Sequence, residues 1–164
     1  MKSTIVIYGS STGTCEDVAK KIAGKLGCEA VDVQNITADT VQQHDNLILG
    51  TSTWGAGDMQ DDWFDGVKVL TSAGLQGKTV ALFGCGDSES YSDTFCGGIG
   101  QLHEALENSG AHFIGAVPAS DYTYEDSEAV VDDKFVGLAL DDVNESDKTD
   151  SRIDNWLKQI EPQL

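Results

Sequence analysis

Positive charge is scarce in this chain. Arg152 is its only arginine, and ten basic residues stand against 28 acidic ones, a formal net charge of −18. That balance argues against nucleic acid and anionic membrane surfaces as partners. It fits a basic protein partner found by electrostatic steering, and equally a need for solubility or a salty habitat. Proline is rare, with two residues, and no proline-rich linker breaks the 164 positions. The length fits one domain with a full core. No apolar run approaches the roughly 20 residues a membrane span needs.

Other signatures are also missing. Cys15, Cys28, Cys85 and Cys96 form no C-x-x-C pair. With a first strand starting near Met1 and no expected signal peptide, they suggest a reducing compartment. The expected location is the cytoplasm, or a plastid stroma if a transit peptide has been removed. His44, His103 and His112 lack metal-ligand spacing, so no metal site is expected. A nucleotide-cleaving P-loop needs Gly-Lys-Ser/Thr, and none occurs. Gly9 and Gly13 are wrongly spaced for a dinucleotide fingerprint, and Glu89 sits where Gly84-Cys85-Gly86 would need its third glycine. A cysteine phosphatase loop needs an arginine soon after the cysteine.

What is present begins with Tyr8-Gly-Ser-Ser-Thr-Gly-Thr-Cys15. Ile5-Val6-Ile7 precedes it and an amphipathic stretch, Val18 to Leu26, follows. A loop of glycines and hydroxyl residues between a first strand and a first helix aims N–H groups and hydroxyls at the positive end of the helix dipole. It is a phosphate cradle without lysine or arginine, suited to a fixed cofactor phosphate. The plainer reading is a Ser/Thr/Gly turn that caps a helix.

Short apolar runs then alternate with helical patterns. Strands are expected at 4–8, 30–32, 47–50, 80–84 and 113–117, and helices at 16–26, 62–71, 95–109 and 149–160. The alternation predicts a doubly wound α/β domain with a parallel sheet. Residues 118–134 are polar and acidic and interrupt the pattern. Phe135-Val136-Gly137-Leu138 then reads as strand again, so one fifth strand split by an insertion is expected.

In such a sheet ligands bind beyond the carboxyl ends of the strands. The loops at 9–15, 51–60 and 84–93 should meet there. They carry Trp54 and Tyr91, which with the cradle suit a flat, phosphorylated, aromatic ligand. Trp63 and Trp156 have helical spacing and apolar neighbours and read as core. Trp54 has only glycines and hydroxyl residues around it, which favours stacking on a ligand over core packing.

Taken together these loops resemble those of the flavodoxins. Ser10-Ser11-Thr12-Gly13-Thr14-Cys15 resembles the family phosphate loop, T/S-x-T-G-x-T. Thr51-Ser52-Thr53-Trp54-Gly55-Ala56-Gly57 resembles the loop whose tryptophan covers one flavin face. Cys85-Gly86-Asp87 through Tyr91, Asp93 and Phe95 resembles the loop whose tyrosine stacks on the other. The split fifth strand followed by Phe135–Asp141 resembles the long-chain subclass. Two positions depart: Cys15 stands where threonine is usual, and Asp121-Tyr-Thr-Tyr124 replaces Gly-Tyr-x-Phe.

The resemblance implies a three-layer sandwich around a five-stranded parallel sheet of order 2-1-3-4-5, its fifth strand interrupted, in one domain spanning 1–164. It implies non-covalent FMN and a low-potential one-electron carrier working between semiquinone and hydroquinone, not an enzyme. Residues 10–15, 52–57, Cys85, Gly86, Asp87, Tyr91, Asp93 and Phe95 are its implied cofactor contacts. Ferredoxin–NADP reductase and photosystem I are fitting partners, with the chain a monomer. Asp58, Asp61, Asp62, Asp87 and Asp93 should disfavour an anionic reduced flavin. A like charge about 7 Å away costs about 2 kcal/mol at an effective dielectric near 20. A receiver-type signalling domain would need acidic residues after strand one and an Asp after strand three, where Gly9-Ser10 and Gly50-Thr51 stand. A flavin-dependent reductase would need an open ring face, which Trp54 and Tyr91 would close.

Overall fold

The computed structural model describes residues 3–9, 14–54, 58–59, 62–86, 95–122, 124, 127, 129–141 and 144–164. The apolar runs form β1 (Thr4–Gly9), β2 (Glu29–Asp32) and β3 (Asn46–Trp54), with β4 (Asp58–Met59) folding back on β3. They continue in β5 (Thr79–Cys85) and β6 (His112–Ile114). Three two-residue strands follow, β7 (Val117–Pro118), β8 (Val130–Val131) and β9 (Lys134–Phe135), before β10 (Leu138–Leu140). The helices are α1 (Thr14–Leu26), α2 (Ala38–Gln42), α3 (Asp62–Ala73), α4 (Gly97–Leu106) and α5 (Ser146–Ile160).

The main sheet runs β2-β1-β3-β5 and ends on β6 and β10, with every pair parallel except the β3–β4 hairpin. This is the expected 2-1-3-4-5 order. Strands β1, β3 and β5 are buried on both faces because helices cover both, and so their sequences are unbroken apolar runs. Trp63 on α3 and Trp156 on α5 are 0% and 1% exposed, as their spacing predicts. Each also ties its helix to a strand end: Trp63 Nε1 donates to the Gly50 carbonyl at 2.7 Å and Trp156 Nε1 to the Gly115 carbonyl at 2.8 Å. Helix α4 sits close to the sheet because a Cβ on Gly84 would run into Ile99 and the Thr51 carbonyl.

The fifth strand is delivered in two pieces. His112–Ile114 pairs with Thr79–Ala81, and Leu138–Leu140 pairs with Phe83–Cys85. Between them the chain leaves at Gly115, whose φ of +87° a side chain would strain and whose α-carbon lies against Trp156. It returns past Gly137, where a Cβ would collide with the Leu82 backbone. The run Phe135–Leu138 is therefore not one strand. Phe135 pairs with Val117 and Val130 in a separate antiparallel sheet of order β7-β9-β8, while Leu138 pairs with Phe83. Val117, expected in the fifth strand, belongs to that small sheet as well. Helix α2 was not foreseen; it has five residues and is fixed by a capping box between Thr37 and Thr40.

Candidate functional site

Four strands line up at one level, where β1, β5 and β10 end and the parallel pairing of β3 stops. Gly9 lies opposite Thr51, Thr51 opposite Gly84, Ser52 opposite Cys85, and Cys85 opposite Leu140. Each loop singled out in the sequence leaves from this edge.

The first loop joins β1 to the N-terminus of α1. Thr14 opens that helix, and Cys15, Val18, Ala19 and Ile22 bury its inner face. Its 13 residues supply a positive dipole end at Thr14. Ser10, Ser11, Thr12 and Gly13 lie outside the described residues. Cys15 is 0% exposed, and its thiol is hydrogen-bonded with that of Cys85, which with burial pushes it well above the usual thiol range. Its sulfur therefore belongs to the core, and a phosphate would meet only its backbone.

The second loop is an arm of β3. The strand runs on past its parallel neighbours and turns back, pairing Thr53 with Met59 and Trp54 with Asp58. Thr51 and Ser52 are buried at the root of the arm, where the Thr51 hydroxyl donates to the Ser52 carbonyl at 2.9 Å. Trp63 anchors the same root through Gly50. Thr53 and Trp54 are thus placed by backbone at the hairpin, and Gly55, Ala56 and Gly57 lie outside the described residues.

The third loop, residues 87–94 with Asp87, Tyr91 and Asp93, also lies outside them, but its two ends are defined and they touch. A Cβ on Gly86 would meet the Cys96 nitrogen at 2.9 Å, the Cys96 sulfur at 3.0 Å and the Phe95 ring at 3.1 Å. The Gly86 N–H donates to the Leu140 carbonyl at 2.9 Å, and the Cys96 thiol approaches the same carbonyl at 3.8 Å. Cys96 holds a left-handed φ of 52° without being glycine, and it does so just before α4. Phe95 is 1% exposed and packs on Tyr122, Tyr124 and Phe135, with ring centroids 5.8 to 6.1 Å away. That aromatic cluster takes nearly all of its surface.

Among the described residues no cluster of three His, Cys, Asp or Glu is arranged to hold a metal, and no helix is long and apolar enough to cross a membrane. What the described residues bring to one sheet edge is the N-terminus of α1, the root of a hairpin arm and the two touching ends of the third loop.

The family model described as Flavodoxin matches residues 6–156. The chain is 41% identical to Flavodoxin 1 of Azotobacter vinelandii, covering 97% of this chain and 95% of that one. It is 39% identical to Flavodoxin 1 of Escherichia coli, covering 100% of this chain and 96% of that one. The chain belongs to the flavodoxin family. Flavodoxins are FMN-binding electron carriers rather than enzymes. A solved Fusobacterium nucleatum flavodoxin bound to flavin mononucleotide superposes with a TM-score of 0.92 at 29% identity, covering 100% of this chain and 99% of that one.

In this flavodoxin one feature of the site had no signal in the sequence. Cys15, Cys85 and Cys96, far apart in the chain, come together beneath the edge, where burial also raises Cys96 well above the usual thiol range. Single cysteines 70 and 11 positions apart carry no spacing rule that would pair them. The Ser127 hydroxyl was equally invisible. It is buried, donates to the Phe95 carbonyl and accepts the Ala129 N–H at 3.1 Å.

Proposed function

We propose that this flavodoxin carries single electrons at low potential between redox proteins on FMN held at the β1-β3-β5 edge. The register that brings the strand ends of all three loops to one edge, with a cation-free Ser/Thr/Gly sequence leading into α1, supports the reading. FMN supplies the one-electron chemistry; the chain supplies binding and environment. The hydroxyls of Ser10, Ser11, Thr12 and Thr14, with the N–H groups at the start of α1, hold the phosphate. Trp54 and Tyr91 would hold the ring system and keep water from it, and the Gly55 carbonyl would serve as a hydrogen-bond acceptor for the reduced ring. Asp58, Asp61, Asp62, Asp87 and Asp93 disfavour added negative charge, which lowers the potential of the last electron.

The exposed acidic rim, with Asp65 on α3 as a described member, docks basic partner surfaces. Ferredoxin–NADP reductase or photosystem I would fit. The protein acts as a monomer of one domain in the cytoplasm, with residues 118–134 as the long-chain insertion.

Comparing FMN with riboflavin tests the cradle. FMN is expected to bind at least a hundredfold more tightly, as charge-assisted hydrogen bonds to a dianion require. Equal affinities would remove the cradle from the account. Partner reduction should slow as salt rises, and a rate indifferent to ionic strength would remove the docking rim.

A further inference from the structure

One hydroxyl of the excursion that carries the small antiparallel sheet reaches outside it: Ser127 crosses to the Phe95 carbonyl, at one side of the third loop's neck. The same oxygen accepts the Ala129 N–H at 3.1 Å, so it is held from both sides. Phe95 is gripped a second time through its ring, by Tyr122, Tyr124 and Phe135. The opposite side of the neck is Gly86, tied to Leu140 of β10. Residues 87–94 leave and re-enter the fold between these two points, and their sequence carries Tyr91.

We propose that Ser127 is a positioning residue of the flavin site: its hydroxyl fixes the Phe95 side of the neck and so sets how the Tyr91 loop meets the flavin. The inference rests on the reading that FMN lies at this edge. The physical case is one of local geometry. Cys96, next to Phe95, holds a left-handed backbone angle that an L side chain resists, so the turn into α4 depends on its neighbours to keep it. A buried carbonyl held by one crossing hydroxyl is such a neighbour. Leaving it without a donor costs far more than the bond contributes on its own. The Phe95 side of the neck would then settle elsewhere, and the loop would pay in orientation.

Ser127→Ala and Ser127→Thr are to be compared with the parent by titrating the apoprotein with FMN and with riboflavin. The visible circular dichroism of the bound flavin and the melting temperature of the apoprotein are recorded alongside. Ser127→Ala is expected to weaken both flavins about tenfold and by the same factor, since the phosphate cradle is untouched, and to change the flavin dichroism. Ser127→Thr, which keeps the hydroxyl, should restore both. Trp156→Phe serves as the control. It removes a 2.8 Å bond from α5 to the Gly115 carbonyl, where the excursion leaves the main sheet, and should lower apoprotein stability without altering flavin dichroism.

Flavin affinity and dichroism unchanged in Ser127→Ala would overturn the proposal. So would a Ser127→Ala protein that does not fold, because the hydroxyl would then serve the whole chain. A parent protein that takes up no FMN would instead defeat the functional reading on which the proposal stands.

Discussion

The two sheets of this molecule are built on opposite plans. In the main sheet β1, β3 and β5 are long, parallel and buried on both faces, and their ladder is continuous. In the small sheet each strand has two residues, so hydrogen bonds between strands cannot hold it. An aromatic cluster does: Phe135 lies 4.8 Å from Tyr122, 5.3 Å from Tyr124 and 5.8 Å from Phe95. Arg152 of α5 adds its guanidinium 4.1 Å from the Tyr122 ring centroid. The large sheet is thus the cooperative body of the protein, and the small one a packed attachment whose opening need not unfold the rest.

The sharpest way to break that contrast is to remove one large side chain from each. Trp63→Ala empties a fully buried site and frees the Gly50 carbonyl, and should cost about 3–5 kcal/mol in global unfolding by urea. Phe135→Ala removes an equally buried ring. Its effect should appear first as faster amide exchange at Val130 and Val136, with a much smaller shift of the urea midpoint. Equal midpoint shifts in the two variants would show that the sheets unfold as one.

A smaller effect is expected at the tip of the small sheet. Asp132 and Asp133 form the two-residue turn between Val131 and Lys134, with φ of 52° and 65°. Both are left-handed, as a type I′ turn demands, and Asn-Gly is the pair that suits it. Asp132→Asn with Asp133→Gly should therefore stabilise the hairpin by about 1 kcal/mol, read as slower exchange at Val130. Faster exchange would mean that the aspartates contribute something the turn geometry does not show.

The smallest effect concerns pH, at the start of α5. Lys148, at 2.8 Å, and Arg152, at 3.0 Å, hold the Glu145 carboxyl below its ordinary value of 4.5. A carboxyl with a lowered folded value adds stability that is complete above its unfolded value and is lost as pH falls through the folded one. The parent should lose stability relative to Glu145→Gln as pH drops below about 4.5, with the difference constant above pH 6. Parallel pH profiles for the two proteins would remove the ion pair from the account.

The same contrast explains what could be read in the sequence. Buried parallel strands announce themselves as unbroken apolar runs, so Leu47-Ile48-Leu49 and Val80–Phe83 were legible, and with them the strand order and the edge where the loops meet. The small sheet was not. Phe135 and Leu138 share one apolar run, but Gly137 against the Leu82 backbone divides it between two sheets. That division is a tertiary fact which no periodicity encodes. At the site, Trp54 and the Ser/Thr/Gly loop stood out because their residue types are unusual in their surroundings. Phe95 stood in the same motif, but its burial in the aromatic cluster had no signal in the sequence, and Ser127 looked like any loop serine.

The most direct test of the account is an anaerobic reductive titration of the FMN-loaded protein, followed by its visible spectrum. The account predicts two separated one-electron steps, with long-wavelength absorbance rising to a maximum at half reduction and the second electron entering only at low potential. A single two-electron bleaching without that intermediate absorbance would contradict it.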